Sequence, residues 1–220
     1  MNFKIPENWI TQHLIDRRYA LYSLGGLGLY LTLKTWPAFA GRRTAEQVVT
    51  QFHDALLGIM QQAKSLDYKE RFRKLQPHIV KNFHLPIMIR IATGRFWRNA
   101  SPRDQDRLLK VFTDISIGTY ASRFSNYSGQ KFLSRGFRKG PQDTILVDTI
   151  ISNPTATDVP ITYVTREIQG SWHIIDILLA SGISEIAVRR AEYRRLLQSD
   201  GIEGLISSIT DKLKSLESTN

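Results

Sequence analysis

One continuous stretch, residues 83–129, constrains the fold of this 220-residue chain most strongly, because it predicts two helices joined by a short turn. Gly94 is suited to end the first helix in a left-handed conformation. Ser101 is a good N-cap for the second helix, Pro102 fits its first position, and Asp104 can reach back in a capping box. The stretch therefore predicts a helix, a turn and a long second helix.

The second of these helices carries a stripe of residues suited to burial. The stripe positions recur at spacings of three and four residues, as in a helix that buries one face. They are Leu108, Phe112, Ile115 and Thr119, widened by Leu109, Tyr120 and Phe124. Taken alone, the pattern predicts core positions of a helical element and no particular function.

The turn between the two helices resembles a family signature. The family is the toluene-tolerance or MlaC family of periplasmic carriers, which move phospholipid between the two membranes of Gram-negative bacteria. Its signature, Gly-Arg-x-Trp-Arg-x-Ala-[Ser/Thr]-Pro, is matched by Gly94, Arg95, Trp97, Arg98, Ala100, Ser101 and Pro102. A second match lies near the end of the chain, at Tyr163, Gly170, Trp172, Asp176, Gly182, Ile183 and Ser184. The resemblance extends over residues 44–216 and departs from the family pattern at positions 84, 180 and 181.

The first forty residues have the pattern of a secretory signal. Two arginines precede a mostly apolar run, residues 20–33, which is too short for a comfortable membrane span. Residues 38–40, Ala-Phe-Ala, fit the small-x-small rule for cleavage before Gly41. We predict a signal peptide at 1–40 and a single lipid-binding domain at 41–220, located in the periplasm. An uncleaved inner-membrane anchor is the alternative, because a lysine lies close to the cleavage site.

The chain is basic, with a formal charge of +10. Cleavage would remove four basic and two acidic residues and lower that charge to +8. The arginines and lysines form no recognised nucleic-acid motif, so we favour anionic lipid over nucleic acid as the partner. Basic clusters at 71–74, 135–139 and 189–195 are candidates for headgroup contact, with a solvated surface as the alternative. The absence of cysteine excludes disulfides and thiol nucleophiles.

The order of secondary-structure patterns predicts an α+β fold. The pattern is helical up to about residue 127, then strand-like, then helical again. The first helix starts from a Thr44 cap, and residues 68–80 continue in shorter helical pieces broken by Pro77 and Pro86. Four strands are predicted at 131–137, 144–152, 159–169 and 171–179, joined by short turns. We expect a curved antiparallel sheet of four strands or slightly more, wrapped by N- and C-terminal helices.

The predicted sheet is apolar on both faces. Strict alternation places Ile145, Val147 and Ile151 opposite Leu146 and Ile150, and places Trp172, Ile174 and Leu178 opposite Ile175, Ile177 and Leu179. One face could form ordinary core while the other lines an apolar cavity. A tightly packed sheet without a cavity is the alternative.

Lipid carriage demands such a cavity. Extracting a two-chain lipid exposes about thirty methylene groups, which at roughly 0.8 kcal/mol each is on the order of 20 kcal/mol. Only a deep apolar pocket offsets that cost. The candidate lipid-binding residues are Phe112, Ile115, Ile145, Val147, Tyr163, Trp172 and Ile174.

A pocket enzyme is the rival class of function. Asp148 shares a strand face with two apolar residues, and Asp176 is predicted to share the face of Trp172 and Ile174. Either carboxylate could act as a general base with a raised pKa. Hydrogen bonding of these carboxylates to backbone or arginine is the alternative, and we predict no catalytic residue. The five histidines show no metal-ligand spacing, so we predict neither a metal site nor a cofactor.

The family resemblance also implies partners. They are an inner-membrane lipid ABC transporter, contacted through its substrate-binding subunit, and an outer-membrane lipoprotein complex that together maintain outer-membrane lipid asymmetry. The implied ligand is phospholipid. Family members also occur beside hopanoid biosynthesis enzymes, so a hopanoid or other polycyclic lipid is the alternative ligand. We expect the carrier to be a monomer.

Overall fold

The computed structural model of the protein describes residues 43–179 and 182–219. The predicted signal peptide lies outside these residues. Within them are seven α-helices and five β-strands. The helices are α1 Ala45–Gln61, α2 Tyr68–Asn82, α3 Leu85–Thr93, α4 Arg95–Asn99, α5 Pro102–Arg123, α6 Glu185–Ser199 and α7 Gly201–Ser218. The strands are β1 Lys131–Lys139, β2 Thr144–Ser152, β3 Val159–Ile168, β4 Ser171–Leu179 and β5 Ile183–Ser184.

The strands form one curved, unclosed sheet in the order β1-β2-β3-β4-β5, with every neighbouring pair antiparallel. This confirms the predicted α+β class and the meander. The fifth strand has two residues and extends the four that were predicted. The tight link between β3 and β4 depends on Gln169 and Gly170, which both have positive φ, at 50° and 77°.

Local capping signals fix where the helices begin. Thr44 and Gln47 form a reciprocal capping box at the start of α1. At α5, the Ser101 Oγ accepts a hydrogen bond from the Asp104 backbone N–H at 3.2 Å, which confirms the predicted N-cap. The Asp104 carboxylate does not reach the backbone of Ser101 but accepts from its hydroxyl at 2.7 Å. The expected capping box is therefore replaced by a contact between two side chains.

The expected break at Pro77 is wrong, because α2 runs through this residue to Asn82. Proline removes one helical hydrogen bond, the one to the carbonyl of Arg73. Both Pro77 and Arg73 are exposed, so water can bind that carbonyl. Leu75 and Ile79 are fully buried on the other side of the helix, and their packing holds it together. The chain does break before Pro86, as predicted.

The core lies between the helices and one face of the sheet, which we call the core face. Helix α1 packs across β1, β2, β3 and β4, and α2, α3 and α6 pack against β4. Helix α5 packs against α2, α3 and α7. The buried apolar residues of the core face include Val147, Ile151, Ile161, Tyr163 and Ile174.

A β-bulge in β4 overturns the predicted alternation of that strand. Val164 pairs with Asp176 while Thr165 pairs with Ile174, so β4 carries one extra residue, Ile175. The extra residue reverses the faces of all positions after it. Trp172 and Ile174 lie on the core face, together with Ile177 and Leu179. Asp176 and Leu178, which alternation had placed with Trp172, lie on the opposite face.

Gly94 joins α3 to α4 in a conformation that favours glycine, with φ 57° and ψ −119°. Substitution Gly94→Ala is expected to lower the free energy of unfolding by about 1 to 3 kcal/mol, because an L side chain is strained there. Crowding is not the cause, since the new Cβ would lie 3.8 Å from Nη2 of Arg190, an ordinary contact. Urea denaturation measures the loss.

The matched control is Gly58→Ala in the interior of α1, where nothing lies within 4 Å of the added Cβ. This substitution is expected to raise the free energy of unfolding by about 0.5 to 1 kcal/mol, because alanine favours the helix over glycine. Losses of equal size at both positions would contradict a special role for the Gly94 conformation.

Candidate functional site

The structure brings the seven predicted lipid-binding residues together in one core. Five have exposed fractions of 2% or less: Phe112 and Ile115 on α5, Val147 on β2, Tyr163 on β3 and Ile174 on β4. The other two, Ile145 and Trp172, are half-buried and pack against the same cluster. All seven belong to one continuous apolar region, to which α1, α5 and the core face all contribute. That these residues contact lipid stays a prediction.

A buried polar pair, which the sequence analysis did not identify, lies within this region. The His53 Nε2 and the Tyr163 hydroxyl are 2.9 Å apart and hydrogen-bonded. Phe132 of β1 stacks on the imidazole, with ring centroids 4.4 Å apart. Burial lowers the pKa of His53 to about 3 and raises the pKa of Tyr163 well above its usual value. Both groups are therefore neutral at pH 7, and each satisfies the other's polar atom.

One signal for His53 was present in the sequence. It follows Val49 by four residues and precedes Leu56 by three, so it lies on the apolar stripe of α1. A histidine on such a stripe must find a buried partner, but the identity of that partner depends on how α1 crosses the sheet. The partner comes from β3, which is remote in sequence.

Aromatic rings connect the helices to the sheet around this pair. Phe52 of α1 makes edge contacts with Phe83 at 4.9 Å, Tyr120 of α5 at 5.2 Å and Tyr163 at 6.4 Å between ring centroids. Edge-to-face geometry is the favoured arrangement for aromatic pairs. The apolar region therefore consists largely of aromatic rings and branched aliphatic side chains packed against one another.

The two carboxylates considered as general bases lie outside this region. Asp148 accepts hydrogen bonds from Arg138 Nε at 3.1 Å and from the Thr162 hydroxyl at 2.6 Å on the face opposite the core. Asp176 accepts from the Ser184 hydroxyl at 2.5 Å and from the Ile186 backbone N–H at 3.1 Å. The expectation that Asp176 shares the face of Trp172 is wrong, because of the bulge at Ile175. Asp176 instead fixes the start of α6.

Among residues 43–179 and 182–219, no helix is both long and apolar enough to cross a bilayer. In the same ranges, no group of three or more histidine, aspartate or glutamate side chains is placed to hold a metal ion.

The fold and this region define a class: an α+β protein with an antiparallel meander, one face of which is covered by helices over an aromatic-rich core. The family described as "MlaC protein" matches residues 50–211, most of the chain. The chain therefore belongs to the MlaC family. This confirms the resemblance noted at the Gly94–Pro102 signature.

A solved structure has a similar fold. It is a phospholipid-binding protein from Ralstonia solanacearum in complex with a phospholipid, determined at 1.53 Å resolution. The two chains are 22% identical and superpose with a TM-score of 0.70, over 79% of this chain and 99% of that one. No curated protein matches this chain.

Proposed function

We propose that this protein is a periplasmic carrier that binds phospholipid, with the acyl tails held between the core face and the helices that cover it. The observation that carries the proposal is the phospholipid bound to the Ralstonia solanacearum protein, whose fold this chain shares. Membership of the MlaC family supports the same function. The seven predicted residues would line the tails, and none would act as a catalyst.

Loading of lipid requires the core to open. Phe112, Val147 and Ile174 are at most 1% exposed, so neighbouring side chains occupy the space that tails would need. About thirty methylene groups, each comparable to the roughly 30 Å³ of a water molecule, need about 900 Å³. We propose that α5 and its neighbours move away from the core face. Tails can then replace side-chain contacts, so the apolar surface remains buried.

The proposed route of transport is the one that the family resemblance implies. The carrier would exchange lipid with the substrate-binding subunit of an inner-membrane lipid ABC transporter and with an outer-membrane lipoprotein complex, and so maintain outer-membrane lipid asymmetry. It would act as a monomer, with a cleaved signal at 1–40 and one domain at 41–220. N-terminal sequencing of periplasmic protein should begin at Gly41, whereas an intact Met1 in the membrane fraction would contradict cleavage.

Protein purified from the periplasm is expected to carry about one two-tailed phospholipid per chain, because water cannot replace the contacts made by buried tails. Native mass spectrometry of the protein, and mass spectrometry of its extracted lipid, measure the load and the ligand. Protein stripped by denaturation and refolded serves as the control, and it should take up labelled phospholipid from vesicles.

Other results discriminate among the alternatives. A polycyclic lipid in the extract would show that the carried ligand is of the hopanoid type and not a phospholipid. Chemically altered phospholipid that accumulates with wild type, but not with a folded Asp148→Asn variant, would support the enzyme. Protein that neither copurifies with lipid nor takes it up would contradict the carrier proposal.

A further inference from the structure

A cavity, separate from the seven core residues, lies where α3, α4 and α6 meet. Its volume is about 400 Å³. The lining comes from the end of α3, from α4 and from one side of α6: Ala92, Thr93, Gly94, Arg95, Phe96, Arg98, Arg190, Arg194, Leu197 and Gln198. Since four of these residues are arginines, we call it the arginine cavity.

The turn at Gly94 lies next to α6, because α3 packs against that helix. Nη2 of Arg190 is 3.8 Å from the position that a Cβ of residue 94 would occupy. Arg190 and Arg194 are four residues apart on one face of α6. Two arginines of the family signature therefore meet two arginines from the C-terminal part of the chain.

The charge of this cavity is not compensated by protein groups. Its described lining contains no carboxylate. Within residues 43–179 and 182–219, none of the four guanidinium groups forms an ion pair or a hydrogen bond, and Arg95 only lies over the Phe96 ring at 5.1 Å. By contrast, Arg107 and Arg138 each pair with a carboxylate. Four permanent positive charges around one cavity make it a site for an anion.

The size and shape of the cavity limit the anion. Ala92, Thr93 and Leu197 of the lining are almost completely buried. A volume of about 400 Å³ is at the lower end of small-molecule sites. The cavity therefore suits a small polar group such as a lipid headgroup.

An exposed apolar side chain beside the cavity favours a membrane lipid over a soluble anion. Ile91 lies one turn before Gly94 on α3, and it is 40% exposed. An apolar side chain next to a group of arginines is typical of surfaces that lie at the bilayer interface, where the arginines meet phosphates and the apolar group enters the acyl boundary.

We infer that the arginine cavity binds the phosphate group of an anionic phospholipid headgroup at a membrane surface. This inference goes beyond the proposed function. The phospholipid bound by the arginine cavity stays in the membrane and holds the protein there, whereas the carried phospholipid occupies the apolar region. The shared chemistry is a phosphate ester, which a free phosphate compound could also supply. The experiment must therefore separate the two sources.

The test compares two charge-matched double variants of the full mature chain. The cavity variant is Arg190→Gln/Arg194→Gln, and the control is Arg103→Gln/Arg123→Gln, two exposed arginines outside the cavity lining and outside the three basic clusters. Binding is measured to vesicles of phosphatidylglycerol, to vesicles of phosphatidylcholine, and to free glycerol 3-phosphate by calorimetry. Circular dichroism and the urea midpoint verify that both variants fold.

The wild type is expected to bind phosphatidylglycerol vesicles and not phosphatidylcholine vesicles. The cavity variant should lose at least tenfold in that affinity, while the control should change by less than about threefold. Ile91→Ser should weaken vesicle binding and leave binding of glycerol 3-phosphate unchanged. Cargo lipid, measured by mass spectrometry, should be retained by every variant.

Four outcomes would overturn the inference. Equal losses in the two double variants would indicate a general effect of net charge, and equal retention would show that the cavity does not bind the headgroup. No binding of wild type to any probe excludes the site. Cavity-dependent binding of glycerol 3-phosphate without cavity-dependent binding of vesicles would assign the cavity to a soluble phosphate compound. If neither the wild type nor any variant copurifies with lipid, that result would contradict the carrier proposal and not the headgroup site.

Discussion

Substitution Val147→Glu is expected to lower the free energy of unfolding by about 5 kcal/mol at pH 7. Val147 is 1% exposed and lies on the core face, opposite Tyr163 in β3. A carboxyl group enclosed there must stay neutral, which costs about 4 kcal/mol when its pKa is raised from about 4.3 to above 7. Lost burial of the valine adds roughly 1.5 kcal/mol. Urea denaturation measures the change.

The control for this substitution is Leu133→Glu on the neighbouring strand. Leu133 pairs with Ile150 on the face opposite the core and is 38% exposed. A charge there can remain hydrated, so the expected loss is below about 1 kcal/mol. Equal losses at the two positions would contradict the assignment of the core face.

The pH dependence of the Val147→Glu deficit provides a further check. A raised carboxyl pKa means that the folded protein binds the proton more tightly than the unfolded chain does. The deficit relative to wild type should therefore be largest above the folded pKa and should shrink as the pH falls towards 4. Val147→Ala, which creates a cavity without a charge, should show a deficit that does not depend on pH. If the variant folds, its lipid load should also fall, because a carboxyl group would lie among the tails.

Much of the fold could be predicted because its signals are local. Ser101 and Pro102 start α5, and Gly94 ends α3, because capping and positive φ depend only on neighbouring residues. The bulge in β4 could not be predicted. Asp176 is the only polar residue between Ile174 and Leu179. This part of the strand therefore has no alternation of polar and apolar residues, and a bulge leaves no mark in its sequence pattern. The break predicted at Pro77 failed because the effect of a proline depends on tertiary packing. The packing of α2 against the core outweighs the one hydrogen bond that Pro77 removes.

The sites were predictable to different degrees. Phe112 and Ile115 recur with helical spacing, and Val147 alternates along a strand, so their burial on one side follows from periodicity. The hydrogen bond between His53 and Tyr163, and the placement of Arg95 and Arg190 around one cavity, require elements that are distant in sequence. Sequence patterns identify such residues as candidates, but only the packing of α1 on β3 and of α3 on α6 brings the partners together.

Lowering the pH from 7.5 to 4.5 is expected to lower the free energy of unfolding by about 3 kcal/mol through His53 alone. Burial holds the pKa of this histidine at about 3 in the folded protein, against 6.5 in the unfolded chain. Between these values the unfolded chain binds the proton and the folded protein does not, so protons favour unfolding. The stability is therefore complete above about pH 6.5 and is lost progressively as the pH falls towards 3.

Other groups titrate in the same range, so the contribution of His53 must be isolated by subtraction. Burial also lowers the pKa of His84 and of His173, and both act in the same direction. His53→Gln removes only the buried imidazole, and the loss between pH 7.5 and 4.5 should be about 3 kcal/mol smaller than in wild type. Tyr163→Phe is the matched control. It should keep the full pH dependence, because burial and not the hydrogen bond sets the pKa of His53. Identical pH dependence in wild type and His53→Gln, measured by urea denaturation, would show that the imidazole is hydrated in solution and that α1 does not seal the core against water.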